Sequence, residues 1–187
     1  MLTEKSQTKF YEQKDNQNTG LKANQGFTLV EILLYTALIS IMLFAVSDFY
    51  FLIIKSRVKN QTIAEVEQQA AQAIQMITQT ARNAENVTSP GAGGSAAFLT
   101  LDAADAAKDS TIFDLSGGAI RIKEGVGSPI VLTNSRVIAS GLNFQNLSYS
   151  GTPGIIRVSF TLSRANPENR NEYNYSKTFY ASASLRQ

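Results

Sequence analysis

Three patterns of apolar and polar positions follow one another along the chain. Residues 27–54 form an apolar run that only a few polar side chains interrupt. From residue 55 onwards the apolar residues recur at steps of three and four, which is the spacing of one face of an amphipathic helix. After a glycine-rich stretch, several short runs alternate between apolar and polar residues, as in β-strands with one buried face. The pattern therefore predicts one long helix followed by a β-rich domain.

The predicted helix extends from about Thr28 to Asn83. Its apolar part would be about 42 Å long, enough to cross a hydrocarbon core of about 30 Å. We therefore expect residues 27–54 to span a membrane and residues 55–86 to form the amphipathic part, which packs on a soluble domain. The apolar stripe of that second part comprises Val58, Ile63, Val66, Ala70, Ala73, Ile77 and Ala81. The opposite face carries Lys59, Gln61, Glu65, Gln68, Gln72, Gln75 and Gln79.

The remaining residues, 87–187, predict an antiparallel sheet. The glycine-rich segment 89–95 is expected to end the helix. The strand-like runs after it are 98–101, 112–115, 119–123, 130–133, 137–147, 155–163 and 177–185. Short segments rich in Gly, Ser, Asn and Pro separate most of them, which favours antiparallel neighbours with one face towards the helix. The expected fold class is α+β, with one long N-terminal helix against an antiparallel β-sheet.

Composition excludes several functional classes. The chain has no Cys and no His, so it lacks a disulfide framework, the usual zinc and haem ligands and the Ser-His arrangement of hydrolases. We expect no enzyme activity, no cofactor and no metal. Net charge is +2 without a block of like charges, so nucleic acid is not expected as a partner. Four aspartates, Asp102, Asp105, Asp109 and Asp114, leave a calcium site open, although their spacing is not that of an EF-hand.

One carboxylate stands near the start of the apolar run. Glu31 is the fifth residue after Gly26, and a charge at membrane depth costs about 2.5–3.5 kcal/mol on insertion scales. Such a residue is by default a functional candidate.

Residues 26–31 read Gly-Phe-Thr-Leu-Val-Glu and precede about twenty mostly apolar residues. This order resembles the class III signal and N-terminal helix of type IV prepilins and type II secretion pseudopilins. The resemblance implies that a prepilin peptidase cuts between Gly26 and Phe27 and N-methylates the new Phe27 amine. Residues 1–26 would then be a cytoplasmic leader peptide. Glu31 would act in assembly, where it can neutralise the terminal amine of a neighbouring subunit.

The resemblance also implies location and partners. The flanking Lys and Arg residues do not settle the orientation, so a cytoplasmic N-terminus and an extracytoplasmic C-terminal head follow from the resemblance alone. The precursor would be a single-pass protein in the lipid of the cytoplasmic (inner) membrane. Its partners would be the peptidase, other pilin or pseudopilin subunits and an inner-membrane assembly platform. The product would be a pilus or pseudopilus at the cell surface or in the periplasm.

Three functional interpretations stay open. The first is a minor pilin or pseudopilin, because the last part of the head looks like J-type and W-type minor pilin heads. The second is a major pilin, although Asp48 stands where many major pilins have a helix-kinking proline and no proline precedes Pro90. The third is a membrane-anchored binding module that never polymerises. The aromatic cluster Tyr173, Tyr175, Phe179 and Tyr180 predicts packing at a sheet edge, with an adhesive surface as the alternative.

Overall fold

The described part of the chain contains one long helix, α1, which begins and ends within one residue of the expected positions. The computed structural model describes residues 26–149 and 154–186; the predicted leader, apart from Gly26, lies outside them. Helix α1 is Leu29–Arg82 and contains no proline. Thr28 caps it, because its Oγ1 accepts a hydrogen bond from the Glu31 backbone N–H at 3.2 Å. The chain divides into two units, Met1–Val46 and Ser47–Gln187.

Nine strands follow α1 in the described part of the chain. They are β1 Ala84–Ser89, β2 Ser95–Ala96, β3 Leu99–Ala103, β4 Thr111–Ser116, β5 Ala119–Glu124, β6 Ile130–Val131, β7 Val137–Asn146, β8 Ile155–Arg164 and β9 Ser176–Ser184. A 3₁₀ turn, Asn171–Tyr173, lies between β8 and β9. Every pairing is antiparallel. The architecture is therefore α+β and pilin-like, as the sequence predicts.

The strands form two sheets, whereas the sequence analysis expected one. The first sheet has the order β1-β3-β4-β5-β6, and the second has the order β2-β7-β8-β9. A backbone hydrogen bond of 2.7 Å, from the Ala139 N–H to the Gly118 carbonyl, links β7 to the turn between β4 and β5. Alternation along one strand shows which face is buried, but it does not show which strand is the neighbour.

The segment after α1 is also different from the expectation. The helix ends at Arg82, and Ala84 to Asn86 belong to β1, not to the amphipathic part of the helix. The glycine-rich segment 89–95 therefore follows a strand and does not end the helix. Strand β1 pairs with β3, where Val87 lies opposite Leu101, and Ala84 is buried. This long-range pairing decides the conformation, because the sequence of β1 is short and carries weak local preferences.

One core joins the second half of α1 to both sheets. The helix contributes its buried side chains from one stripe, which are Thr62, Val66, Ala70, Ala73, Ile77 and Ala81. Three of these six are alanines, which allow a close approach of the helix backbone. The sheets contribute Leu99, Leu101, Phe113, Ile120, Phe144, Ile156, Val158, Phe160 and Leu162. Phe113 of the first sheet lies 6.5 Å from Phe144 of the second, measured between ring centroids, so the two sheets share this core.

Polar contacts fix the helix at the border of the core. The sequence analysis placed Glu65 on the polar face, but its carboxylate pairs with Arg164 of β8 and, at 3.5 Å, with Arg136. Two residues further along α1, the Lys177 ammonium donates to Glu67 Oε1 at 2.6 Å. That hydrogen bond lowers the pKa of the Glu67 carboxyl and raises the pKa of Lys177. The stabilisation from Glu67 is therefore present above its unfolded-state pKa and is lost as pH falls through its lower folded-state pKa.

Burial of the stripe makes a direct prediction for a soluble form of the protein that starts at Lys55. Val66 is fully buried, whereas Gln68 is exposed. Val66→Asp should place an unpaired charge in the core and lower the free energy of unfolding by about 4 kcal/mol or more. Gln68→Asp, the matched control, should change it by less than about 0.5 kcal/mol. Urea unfolding followed by circular dichroism measures both. Equal stability of the two variants would contradict helix-on-sheet packing.

Candidate functional site

The first part of α1 presents an apolar surface that no other described part of the chain covers. Among the described residues, one helix is long and apolar enough to cross a membrane, and its most apolar window is not buried at all. The large apolar side chains exposed there include Leu29, Ile32, Leu33, Leu38, Ile41, Met42, Phe44 and Phe49. An exposed apolar surface of this size marks a membrane or protein contact site.

The start of this helix brings three residues of the expected signal, Phe27, Thr28 and Glu31, together with Tyr35. The Ile32 backbone N–H donates to the Thr28 carbonyl at 3.2 Å, and Thr28 Oγ1 accepts from the Glu31 N–H. Glu31 as a residue is half-buried, and its carboxylate accepts an exposed hydrogen bond at Oε1 from the Tyr35 hydroxyl at 3.0 Å. The Phe27 ring meets the Tyr35 ring edge-on, with centroids 6.5 Å apart and planes at 77°. Phe27, Glu31 and Tyr35 therefore share one side of the first turns.

Gly26 lies outside the helix in exposed, non-helical backbone, as do Phe27 and Thr28. A Cβ atom built on Gly26 would meet no atom within 4 Å, and its φ is not in the left-handed region. Nothing in the described fold therefore requires glycine at this position. The bond between Gly26 and Phe27 is accessible from solvent.

The sequence analysis missed two parts of this arrangement. Thr28 and Glu31 have the spacing of a capping box, Ser/Thr-x-x-Glu before an apolar run, and Thr28 does cap the helix. Tyr35 follows Glu31 by four residues, the spacing at which helical side chains meet. Both spacings can be read from the sequence, whereas the prediction for Glu31 rested on its apolar surroundings and on the family resemblance.

The four aspartates of the head do not form a metal site in the part of the chain that the structure describes. In the described ranges, no group of three or more His, Cys, Asp or Glu side chains could hold a metal ion. Asp105 accepts from the Ala107 N–H at 3.0 Å within a turn, and Asp114 accepts from the Arg121 guanidinium at 2.6 Å. These two of the four aspartates are thus engaged in local contacts.

The aromatic cluster of the C-terminal region is divided. Tyr175 and Phe179 are half-buried and pack against the core, and Tyr173 lies beneath the Arg164 and Arg170 guanidinium groups, 5.5 and 5.1 Å from its ring centroid. Only Tyr180 is largely exposed, at 71%. Packing therefore explains three of the four rings.

Comparison with known protein families identifies a sequence motif at the start of helix α1. Residues 21–47 match the family model described as the prokaryotic N-terminal methylation motif. The chain carries a prepilin-type methylation motif. This finding confirms the resemblance to the class III prepilin signal of type IV pilins and pseudopilins. No curated protein and no solved structure shows a significant match.

The methylation motif and the apolar helix together fit a single-pass membrane anchor. They support a type IV pilin-like subunit. A signal of this family suggests a structural subunit rather than an enzyme. The motif also implies processing by a prepilin peptidase and assembly with other pilins. The matched residues, 21–47, lie before the head and include part of the apolar helix.

Proposed function

We propose that the protein is a minor pilin or pseudopilin of a type IV pilus or a type II secretion-like filament. A prepilin peptidase cleaves it between Gly26 and Phe27 and N-methylates the Phe27 amine. Residues 1–26 are the leader, residues 27–54 span the cytoplasmic membrane and later enter the filament core, and the rest forms the extracytoplasmic head. The observation that carries the proposal is the methylation motif at the start of an uncovered apolar helix.

The surroundings of Gly26 support cleavage at this position. Because a Cβ atom would fit there without a clash, the fold itself does not explain the glycine. A peptidase would explain the glycine if its binding subsite accepts only a small side chain at the residue before the cut. The exposed, non-helical backbone at Gly26 and Phe27 would leave this bond accessible to such a peptidase.

Gly26→Val should therefore block maturation without disturbing the helix. We expect a full-length species that retains the leader, in cells with an active prepilin peptidase. Gly26→Ala is the matched control, since it adds a single methyl group, and should mature to a much greater extent. Intact mass of the membrane-extracted protein gives both the cleavage site and the N-methyl-Phe terminus. Normal maturation of Gly26→Val would contradict the assignment of the cleavage site.

Glu31 supports the assembly role by its charge and position. Before assembly it lies in the first turn of α1, where the helix dipole favours a negative charge. In a bundle of apolar helices an unpaired carboxylate would be costly. The Phe27 amine released by cleavage has a reference pKa of about 7.7–8.0 and is largely cationic at neutral pH. The terminal amine of a neighbouring subunit is thus the partner we propose for Glu31.

Glu31→Ala should insert and be cleaved, but it should enter filaments poorly. An uncompensated buried charge costs about 3–5 kcal/mol, and this variant leaves the partner amine unpaired. Glu31→Gln is the matched control for shape, because it keeps an acceptor oxygen and removes only the charge. The ratio of subunit in sheared filaments to subunit in the membrane measures the effect. Both variants should be impaired; wild-type incorporation of either would show that charge pairing is dispensable.

The choice of a minor subunit over a major one rests on the helix. α1 runs without proline from Leu29 to Arg82 and carries Asp48, where many major pilins have a kinking proline. Abundance tests this choice, because a major pilin forms most of the protein in sheared filaments. A membrane-anchored module that never polymerises is the remaining alternative, and it predicts no protein in that fraction.

A further inference from the structure

Tyr35 contacts both residues that would form the assembly pair. Its hydroxyl donates to Glu31 Oε1 at 3.0 Å, and its ring packs edge-on against the ring of Phe27 at 6.5 Å. We propose that Tyr35 is a positioning residue, which holds the Glu31 carboxylate on the side of the helix that carries Phe27. This inference rests on the proposed function and extends it to a residue outside the acid–amine pair.

In the described part of the chain, few contacts order the Glu31 side chain. The Thr28 hydroxyl accepts from the Glu31 backbone N–H, and it is the backbone, not the carboxylate, that this contact orders. Within the ranges that the structure describes, the side chain that donates to the carboxylate is Tyr35. Without that donor, the flexible Glu31 side chain would be free to change rotamer in an environment with few polar groups.

The hydrogen bond from Tyr35 leaves the second oxygen of the Glu31 carboxylate available. A carboxylate has two oxygens and about four lone-pair sites, and Tyr35 uses Oε1. Oε2 can therefore accept from an ammonium group while the phenol still holds Oε1. A charged partner added to this arrangement would meet an acceptor whose direction is already fixed, which reduces the entropic cost of pairing.

A tyrosine at position 35 combines an apolar ring with a hydrogen-bond donor. Its ring is compatible with the exposed apolar surface of the anchor, and its single hydroxyl supplies a donor at a fixed distance from the backbone. The contact with Phe27 uses the ring body, whereas the contact with Glu31 uses the hydroxyl. The two roles can be separated by substitution, because phenylalanine retains the first and loses only the second.

Tyr35→Phe should leave cleavage and N-methylation unchanged and lower entry into filaments. Loss of one hydrogen bond to a charged group predicts a decrease on the order of ten-fold. Full-length wild-type and variant chains, distinguishable by mass, are expressed together, and their ratio in sheared filaments is divided by their ratio in the membrane. Tyr50→Phe is the matched control, since Tyr50 also lies exposed on α1 and the change again removes one hydroxyl; it should have no effect.

A second measurement separates positioning from a general effect on the helix. In the Glu31→Ala background, Tyr35→Phe should cause no further loss, because the group it positions is absent. A further loss there, impaired cleavage of Tyr35→Phe, or wild-type entry of Tyr35→Phe would each overturn the inference. In the last case the proposed function would still stand if Glu31→Ala were excluded. A wild-type chain that keeps its leader or stays out of filaments would overturn both.

Discussion

The packing of one helical stripe against two sheets is the interaction on which the head depends. Val66, Ala70 and Ala73 are almost fully buried, although this helix has a polar face rich in Gln and Glu. An isolated helix gains little from its own hydrogen bonds, and most of its stability in a protein comes from burying such a stripe. The shared core also explains why two separate sheets behave as one domain: Phe113 and Phe144 approach each other beneath the same helix.

The sequence predicts this arrangement wherever the information is local. Helix α1 was expected from Thr28 to Asn83 because apolar periodicity continues over that whole length. Seven of the strands were expected from short strand-like runs, several of which alternate. Strand β1 was not, since its conformation depends on pairing with β3, and the division into two sheets was not, since alternation does not identify neighbours. Glu65 was placed on the polar face of the helix with no partner, because Arg164 lies 99 residues away in the chain.

The candidate site shows a similar limit at shorter range. The order of residues 26–31 predicts roles for Gly26, Phe27 and Glu31. The family model confirms the motif in which they lie, whereas their individual roles stay predictions. Tyr35 was missed because Glu31 was considered against lipid and a neighbouring amine, and not against its own helix. A carboxylate in an apolar segment takes the nearest available donor, and four residues onward is where a helix supplies one.

Cleavage has to precede assembly for a physical reason if the proposed pairing is correct. At the start of the helix, with a capped first turn and the Tyr35 hydroxyl at 3.0 Å, the Glu31 charge is tolerable in the precursor. Among apolar helices it is tolerable only with a cation beside it. That cation does not exist until the bond after Gly26 is cut, because until then the Phe27 nitrogen is a neutral amide. An unprocessed subunit would therefore supply no cation to the Glu31 carboxylate of its neighbour, and that unpaired charge would disfavour its entry into the filament.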